Sequence, residues 1–431
     1  MIQRYEIKPI TEIWSENSKF DNWLLIETYI LEYLQKNKFF SKTKLDDFKK
    51  NFKLNYKKIY ANEKITKHDV VAFIKTISDS CNEEIKRWLH FGITSTDIVD
   101  TSNGMCFKKS NVVIENEILK FLRTLKKFAI KYKNTFQIGR THGMQAEPTT
   151  FGLKFALWYD EMKRHYMRFL VARENIEVGK ISGSVGTFAN TPVELQDYVC
   201  DKLQLISSNI SNQTLQRDRH MYYFNVLNGI GVTIEKIATE LRHLSRSELS
   251  EINEFFAKDQ KGSSSMPHKK NPITLENICG LSRLLKGYAL TASENVNLWD
   301  ERDISHSSNE RIIFCDAITI ICNILSKIDK VINTMYVDEN QMLINIKKAN
   351  NIIFSQTLML YLIRHTKLPR IEIHAMVQNL VSEAKNSNKD LLEIVNQSNI
   401  KDILSKEEIK KIFSLEYHSK EIDKIYQRVF K

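Results

Sequence analysis

The stretch Leu227–Leu244, which reads LNGIGVTIEKIATELRHL, decides the fold class of this chain. Its large apolar residues recur at alternating intervals of three and four, at Leu227, Ile230, Ile234, Ile237, Leu241 and Leu244. This near-heptad spacing places all of them on one side of an α-helix and leaves polar residues on the other sides. It therefore predicts a long helix that packs nearly parallel to similar helices.

Two further segments repeat this pattern. One carries Ile118, Leu122, Leu125, Ala129 and Tyr132, and the other carries Ile321, Leu325, Ile328, Ile332 and Met335. Glycine (13) and proline (6) are scarce for a chain of 431 residues, since the two together average roughly 12% of a globular protein. Few turns can be built, so the central third of the chain is predicted to be a bundle of long helices.

The expected fold is all-α, with three helical domains. We expect an N-terminal helical domain over residues 1–93, a central long-helix bundle over 94–348, and a C-terminal helical domain over 349–431. The last of these begins a new helix around Leu368-Pro369-Arg370, because proline favours the first turn of a helix.

Composition limits the classes of function. The net charge of +11 and pI near 9.1 fit either a nucleic-acid-binding surface or a lysine-rich solvated surface that attracts small anions. The six cysteines have no C-x-x-C spacing, so neither a disulfide framework nor a zinc site is indicated. With no export segment and no apolar run of about 18 residues, we expect a cytoplasmic protein without a membrane partner.

The segment Gly262–Pro272, GSSSMPHKKNP, interrupts the helical pattern. Glycine and three serines allow several backbone N–H groups to converge, and two lysines lie beside them. Asn271-Pro272 reads as a helix start, with a cap residue followed by proline. A lysine-flanked loop that ends on a helix N-terminus is suited to binding an anion.

Five more polar clusters break the apolar periodicity. They are Lys67-His68-Asp69, His90–Asp97, Gly139–Thr150, Gln213–His220 and Glu301–Ser308 with Arg311. Each has a local alternative: His68 could be a helix cap, Thr94–Asp97 an N-cap cluster, and the arginines a solvated face. Those alternatives do not explain why polar clusters recur in an otherwise regular helical chain.

The inventory of these clusters favours acid/base chemistry. There is no G-x-x-x-x-G-K-[ST] phosphate loop, and Gly229-Ile230-Gly231 lies inside the apolar seam, so no nucleotide cofactor or metal is indicated. Arginine and hydroxyl groups bind carboxylates and phosphates, and histidine transfers protons near neutral pH. We therefore expect proton transfer on a multiply anionic substrate, with no metal and no cofactor.

The GSSSMPHKKNP segment resembles the signature of the fumarase/aspartase superfamily, whose members are helical-bundle lyases that eliminate fumarate from succinyl compounds. The other clusters, together with Arg4-Tyr5, resemble the adenylosuccinate lyase family, and the similarity runs along the whole chain. The resemblance implies β-elimination of fumarate from adenylosuccinate, giving AMP. It also implies the same reaction on the succinyl-aminoimidazole carboxamide ribotide of purine synthesis, giving AICAR.

The resemblance also implies roles for individual residues. Ser263 would be the general base and His142 the general acid, with His68, Lys269 and Glu276 as further catalytic residues and Glu276 supporting His142. The substrate-binding residues would be Arg4, Tyr5, Lys67, His68, Asp69, Thr94, Ser95, Thr141, Gln213, Ser263, Lys269, Asn271, Arg302, Ser307 and Arg311. Of these, Gln213 would lie near the bond that breaks, and the nucleotide would be held by Arg4, Tyr5, Arg302, Ser307 and Arg311.

Members of that family are homotetramers that build a 20-helix core and share each active site among subunits, so the resemblance implies the same assembly here. The nearest rival is another lyase or cycloisomerase of the superfamily, acting on argininosuccinate or carboxymuconate. A helical nucleic-acid-binding scaffold is a rival of a different class, but it gives the polar clusters no role. An inactive member used as a regulator is a third alternative, although every proposed catalytic position is filled.

Overall fold

The computed structural model describes residues 1–257 and 265–431. Helices dominate these ranges, and the all-α prediction is confirmed. The α-helices are α1 (Lys8–Ile13), α2 (Glu16–Lys36), α3 (Lys42–Asn51), α4 (Tyr56–Thr66), α5 (Asp69–Ser78), α6 (Glu83–Trp88), α7 (Ser95–Lys131), α8 (Phe151–Ile176), α9 (Val193–Leu203), α10 (Asp218–Leu244), α11 (Ile273–Glu294), α12 (Ser305–Thr334), α13 (Glu339–Lys347), α14 (Ser355–His365), α15 (Arg370–Ser387), α16 (Leu391–Gln397), α17 (Lys406–Ile412), α18 (Glu416–Ser419) and α19 (Ile422–Val429).

Short strands pair two by two between the helices. They are β1 (Phe136–Thr141), β2 (Met144–Thr150), β3 (Val178–Gly179), β4 (Ile206–Ser207), β5 (Ile252–Asn253) and β6 (Tyr336–Val337). β1 pairs with β2 and β5 with β6 in antiparallel fashion, while β3 and β4 are parallel. Short 3₁₀ turns cover Gln3–Tyr5, Ile352–Phe354 and Asn399–Asp402.

Contacts divide the chain into two compact units. Unit 1 comprises Met1–Leu119, Arg164–Glu235 and Cys279–Ser326, and unit 2 comprises Lys120–Lys163, Lys236–Ile278 and Lys327–Lys431. Five long helices have one section in unit 1 and another in unit 2; they are α7, α8, α10, α11 and α12. This division does not follow the boundaries expected at 93 and 348, which stay a prediction from the sequence.

The apolar seams that predict the fold are buried. Every residue of the three seams is at most 8% exposed, and Ile230, Ile234, Ile237 and Leu241 are fully buried. The seam of α10 passes through both units, because Glu235 ends a section of unit 1 and Lys236 begins one of unit 2. The periodicity therefore identified the buried face of α10 correctly. Among the described residues, no helix is long and apolar enough to span a membrane.

Local signals explain where several helices begin. Ser15 caps α2 by accepting a hydrogen bond from the Ser18 N–H at 3.2 Å, and such side chains satisfy one of the unpaired donors at a helix start. α15 begins at Arg370, directly after Pro369, as the sequence predicts. In the N-terminal part of unit 1, Trp23 packs edge-to-face against Phe20 and Phe73, with ring centroids 5.4 and 5.5 Å apart.

The segment around His142 is a β-hairpin, where the sequence analysis expected only a loop in a helical chain. Thr141 pairs with Met144, so His142 and Gly143 form a two-residue turn with φ angles of 54° and 77°. Positive φ at both positions is typical of a type I′ turn, whose twist matches that of the strands beside it. The sequence signal for this hairpin is the His142-Gly143 pair, which lies between segments that contain Thr, Ile and Phe.

Close approach of α7 to β3 gives a test of the fold. A Cβ added to Gly104 would lie 2.3 Å from the Val178 carbonyl oxygen, which is part of the backbone. Because neither backbone can move easily, Gly104→Ala should lower the free energy of unfolding by about 1–3 kcal/mol or more. Asn116→Ala, at an exposed position of the same helix, is the matched control. Urea unfolding curves that coincide for the two variants would contradict this packing.

Candidate active site

Unit 1 contains a cavity of about 410 Å³. Its wall is formed by residues before and within α2, by the α4–α5 junction, and by the starts of α7 and α12. Many of the predicted site residues line it although they are far apart in sequence; they are Lys67, His68, Asp69, Ser95, Arg302, Ser307 and Arg311. Since Arg217 of the Gln213–His220 cluster also lines the cavity, the fold brings four of the polar clusters to one place.

Three of these residues meet at the α4–α5 junction. Lys67 ends α4 with a left-handed backbone (φ 55°), and His68 caps α5, its Nδ1 accepting from the Val71 N–H at 3.4 Å. An accepting Nδ1 leaves the proton on Nε2. Asp69 pairs with Arg311 at 3.1 Å. The capping reading of His68 is therefore correct, and the same residue also faces the cavity.

A wholly buried ion pair joins Lys180 to Asp97 in the first turn of α7. Lys180 Nζ is 2.5 Å from Asp97 Oδ1, and both side chains are 0% exposed. Asp97 also accepts from the backbone N–H groups of Thr94 at 2.8 Å, Ser182 at 3.0 Å and Gly183 at 3.2 Å. Thr94 is thus the N-terminal cap position of α7, and the carboxylate joins this helix start to the segment that follows β3.

The same lysine fixes Gln213. Lys180 Nζ donates to the Gln213 carbonyl at 2.9 Å, and Thr96 Oγ1 donates to it at 2.6 Å. The Gln213 side chain donates to the Ser184 carbonyl at 3.0 Å, and its Oε1 accepts from Arg302 Nη1 at 2.9 Å. Gln213, placed by the resemblance near the bond that breaks, is thus in contact with Arg302.

One buried arginine lies between two carboxylates at the cavity wall. Arg217 donates to Asp100 at 2.9 and 3.0 Å and to Glu310 at 2.8 and 3.1 Å. Burial opposes ionisation of Asp100, but Arg217 outweighs it and holds the pKa of Asp100 well below its usual range. Burial raises the pKa of Glu310 to about 7, with Arg217 opposing and Asp100 adding to the rise. One guanidinium therefore neutralises Asp100 fully and Glu310 only in part.

His306, the second residue of α12, lies beside this group. It is 2% exposed and lines the cavity. Burial, followed by the positive charge of Arg217, lowers the pKa of His306 to about 4. The imidazole is therefore neutral at pH 7, and its Nδ1 has no hydrogen-bond partner among the described residues.

The remaining predicted residues of unit 1 lie outside the cavity wall. Arg4 is exposed and Tyr5 is half-buried on the first 3₁₀ turn. The Tyr5 carbonyl accepts from Asn323 at 3.3 Å, which fixes this turn against α12.

The predicted general acid, His142, and several other predicted site residues belong to unit 2. Thr141 and His142 are exposed at the hairpin turn, and Lys269 is exposed before α11. Glu276 lies 3.9 Å from Arg242, and within residues 1–257 and 265–431 no hydrogen bond joins it to His142. The expected support of His142 by Glu276 is thus not a contact of this chain. Ser263 lies outside the described residues.

The start of α11 differs from expectation. The helix begins at Ile273, one residue after Pro272, and the Ile273 N–H donates to the carbonyl of Asn271 at 2.9 Å. Glu254 accepts from the N–H groups of Thr274 at 3.2 Å and Leu275 at 2.7 Å. The sequence predicts that this helix N-terminus binds an anion. Two of its N–H donors bind a carboxylate of the protein itself, which satisfies donors that have no partner within the helix.

Glu251 is a buried carboxylate whose contacts the sequence did not predict. This carboxylate is fully buried and accepts from Gln137 at 2.7 Å, Arg140 at 2.8 and 3.2 Å, and Asn345 at 2.9 Å. Since Gln137 and Arg140 lie on β1, Glu251 orients the hairpin that carries His142. Lys180 was missed too, although a single lysine between Gly179 and Ile181 is the kind of isolated charge that marks a buried pair.

Comparison with known proteins adds to this geometry. A family described as lyase matches residues 34–287, and one described as adenylosuccinate lyase C-terminus matches residues 351–429. The chain is 42% identical over 429 residues to the adenylosuccinate lyase of Staphylococcus saprophyticus, covering 99% of each chain.

Solved structures with the same fold include a fumarate lyase from Mesorhizobium sp. BNC1, with a TM-score of 0.89, 20% identity and coverage of 100% of this chain and 99% of that chain. Another is the 3-carboxy-cis,cis-muconate lactonizing enzyme from Pseudomonas putida, with a TM-score of 0.88, 20% identity and coverage of 99% and 96%. At this identity the likeness shows the fold alone.

Removing the buried ammonium should unfold unit 1 more readily. Lys180→Met leaves Asp97 as an uncompensated buried charge, so the free energy of unfolding should fall by about 3–5 kcal/mol. Lys286→Met is the matched control, because Lys286 pairs with Glu235 at 2.6 Å but is 47% exposed, and exposed pairs contribute about 0–1 kcal/mol. Equal losses in the two variants, measured by urea unfolding, would contradict the role given to Lys180.

Proposed function

This chain belongs to the adenylosuccinate lyase family, and from that membership we propose that it cleaves adenylosuccinate to AMP and fumarate (EC 4.3.2.2). We extend the proposal to the succinyl-aminoimidazole carboxamide ribotide, which carries the same succinyl-amine group on a smaller base. The observation that carries it is the cavity of unit 1, where Arg302, Arg311 and Lys67 lie with the hydroxyls of Ser95 and Ser307. Such donors suit a ligand with one phosphate and two carboxylates.

In the proposed reaction, Ser263 takes the proton from the carbon beside a succinyl carboxylate. The electron pair left on that carbon forms the double bond of fumarate as the carbon–nitrogen bond breaks. His142 then protonates the departing nitrogen, so the amine leaves neutral. The carbanion places a second negative charge on the adjacent carboxylate, and preorganised donors at that point lower the barrier. No metal or cofactor enters this scheme.

The site is proposed to be shared between subunits of a homotetramer with a 20-helix core. Polar residues with catalytic roles, including His142 and Lys269, are exposed in the single chain and could meet substrate held by another copy. The long helices also expose large apolar side chains, which are Leu157 (60%), Met167 (57%), Val171 (48%) and Leu290 (65%). Apolar surface of this kind is usually covered by a protein partner.

All six cysteines, at 81, 106, 200, 279, 315 and 322, are free thiols. Unpaired thiols persist in a reducing compartment, which supports the proposal that the enzyme acts in the cytoplasm on small-molecule nucleotides. Purified protein should convert adenylosuccinate to AMP and fumarate, followed by the change in ultraviolet absorbance and by chromatography of the products. Turnover of argininosuccinate or carboxymuconate instead would assign the chain to another reaction of the superfamily.

The base and the acid can be tested separately. Ser263→Ala and His142→Asn should each keep AMP binding and lower kcat by about 10²–10⁴-fold, the usual contribution of acid/base groups. His374→Asn, at an exposed position of α15, should leave kcat unchanged. A Ser263→Ala enzyme that keeps more than about a tenth of the wild-type kcat would contradict the assignment of the base.

Mixing the two inactive variants tests the shared site. If each site takes Ser263 and His142 from different subunits, hybrid tetramers contain some sites with both residues intact. Subunit exchange should then restore part of the activity. Hybrids confirmed by native mass spectrometry that stay inactive would show that one chain supplies both residues.

A further inference from the structure

Two neighbouring side chains at the cavity wall have unused hydrogen-bonding capacity. Arg302 bonds through Nη1 to the neutral amide of Gln213, and its buried Nε has no partner within the part of the chain that the structure describes. After burial and Arg217, the positive charge of Arg302 also contributes to the lowered pKa of His306. The proposed function assigns Arg302 to ligand binding but gives His306 no role.

Several other charged groups of this wall form salt bridges. Asp100 and Glu310 share Arg217, and Asp69 pairs with Arg311 at 3.1 Å. Arg302 forms no salt bridge with a carboxylate among the described residues, although its charge also acts to lower the pKa of Glu310. A guanidinium without a salt bridge, beside a buried imidazole that has no partner at Nδ1, is suited to an anion.

The burial of His306 also favours one tautomer. Nδ1 is sealed from solvent without a partner in the described ranges, and an unpaired acceptor costs less than an unpaired N–H donor. The proton therefore belongs on Nε2, which makes this atom a donor. Because the ring lines the cavity, a ligand is the acceptor available to it.

We propose that His306 binds the phosphate group of the nucleotide, donating a hydrogen bond from Nε2 beside the guanidinium of Arg302. The phosphate is the anion of choice because His306, Ser307 and Arg311 lie on the first two turns of α12, a helix of 30 residues. The first N–H of this helix already donates to Asp303 at 2.7 Å, so these side chains supply the donors together with Arg302. A phosphate suits them because it accepts several hydrogen bonds at once. This inference rests on the proposed function, since it takes the ligand to be a nucleotide.

Two substitutions separate the ring nitrogens. The amide nitrogen of glutamine reaches the place of Nε2, whereas that of asparagine reaches only the place of Nδ1. Hydrogen bonds to charged groups contribute about 1.5–3 kcal/mol. His306→Asn should therefore weaken AMP binding roughly tenfold or more, while His306→Gln should stay within about threefold of the wild type.

The experiment is calorimetric titration of AMP, adenosine and fumarate into the wild type and both variants, with thermal unfolding as a check on folding. The proposal expects loss of AMP affinity in His306→Asn alone, with adenosine and fumarate affinities unchanged. Equal AMP affinity in the wild type and His306→Asn would overturn it, as would a parallel loss for AMP and adenosine. Loss for fumarate instead would assign His306 to a carboxylate and also overturn it. A wild type that binds none of the three would overturn the proposed function itself.

Discussion

The contact between the Lys180 ammonium and the Asp97 carboxylate holds together the parts of unit 1 that face the cavity. Both groups are fully buried, and removing two charges from water is costly unless other hydrogen bonds complete their shells. Here three backbone N–H groups bind Asp97 and the Gln213 carbonyl binds Lys180. The pair is therefore stable only when the start of α7, the segment after β3 and the Gln213 segment are all in place. Arg302 is bound to that last segment, so its position depends on the same contact.

Unit 2 uses a buried carboxylate in the same way. Glu251 gathers donors from β1 and α13, and thereby fixes the hairpin that carries His142. Glu254, three residues further on, binds the first N–H groups of α11. In both units the long helices form a rigid scaffold through apolar packing, while buried charges position the short segments that interrupt them. Some of the predicted site residues, among them His142, Gln213 and Arg302, thus lie on irregular segments whose geometry is fixed by polar contacts.

The sequence predicted those features that depend on local pattern. The buried face of α10 follows from apolar spacing alone, and the helix start at Arg370 follows from Pro369. The joining of Lys67–Asp69 with Arg302 and Arg311 was predicted only through the family resemblance, since no local rule relates residues so far apart. The Lys180–Asp97 pair, the Glu251 contacts and the capping of α11 by Glu254 were missed, because pairing of buried charges depends on tertiary structure. The hairpin was missed because its two strands are short, and because Gly139 in β1 and Pro148 in β2 obscure the period of two.

The left-handed backbone at His142 limits what can replace it. At a φ of 54° glycine, asparagine, aspartate and histidine are the residues best tolerated, whereas a β-branched residue is strained by about 1–2 kcal/mol. A valine variant would therefore distort the hairpin turn as well as remove the imidazole, so its defect would mix conformation with chemistry. Asparagine keeps the turn and removes only the imidazole. The backbone therefore restricts which residues fit position 142.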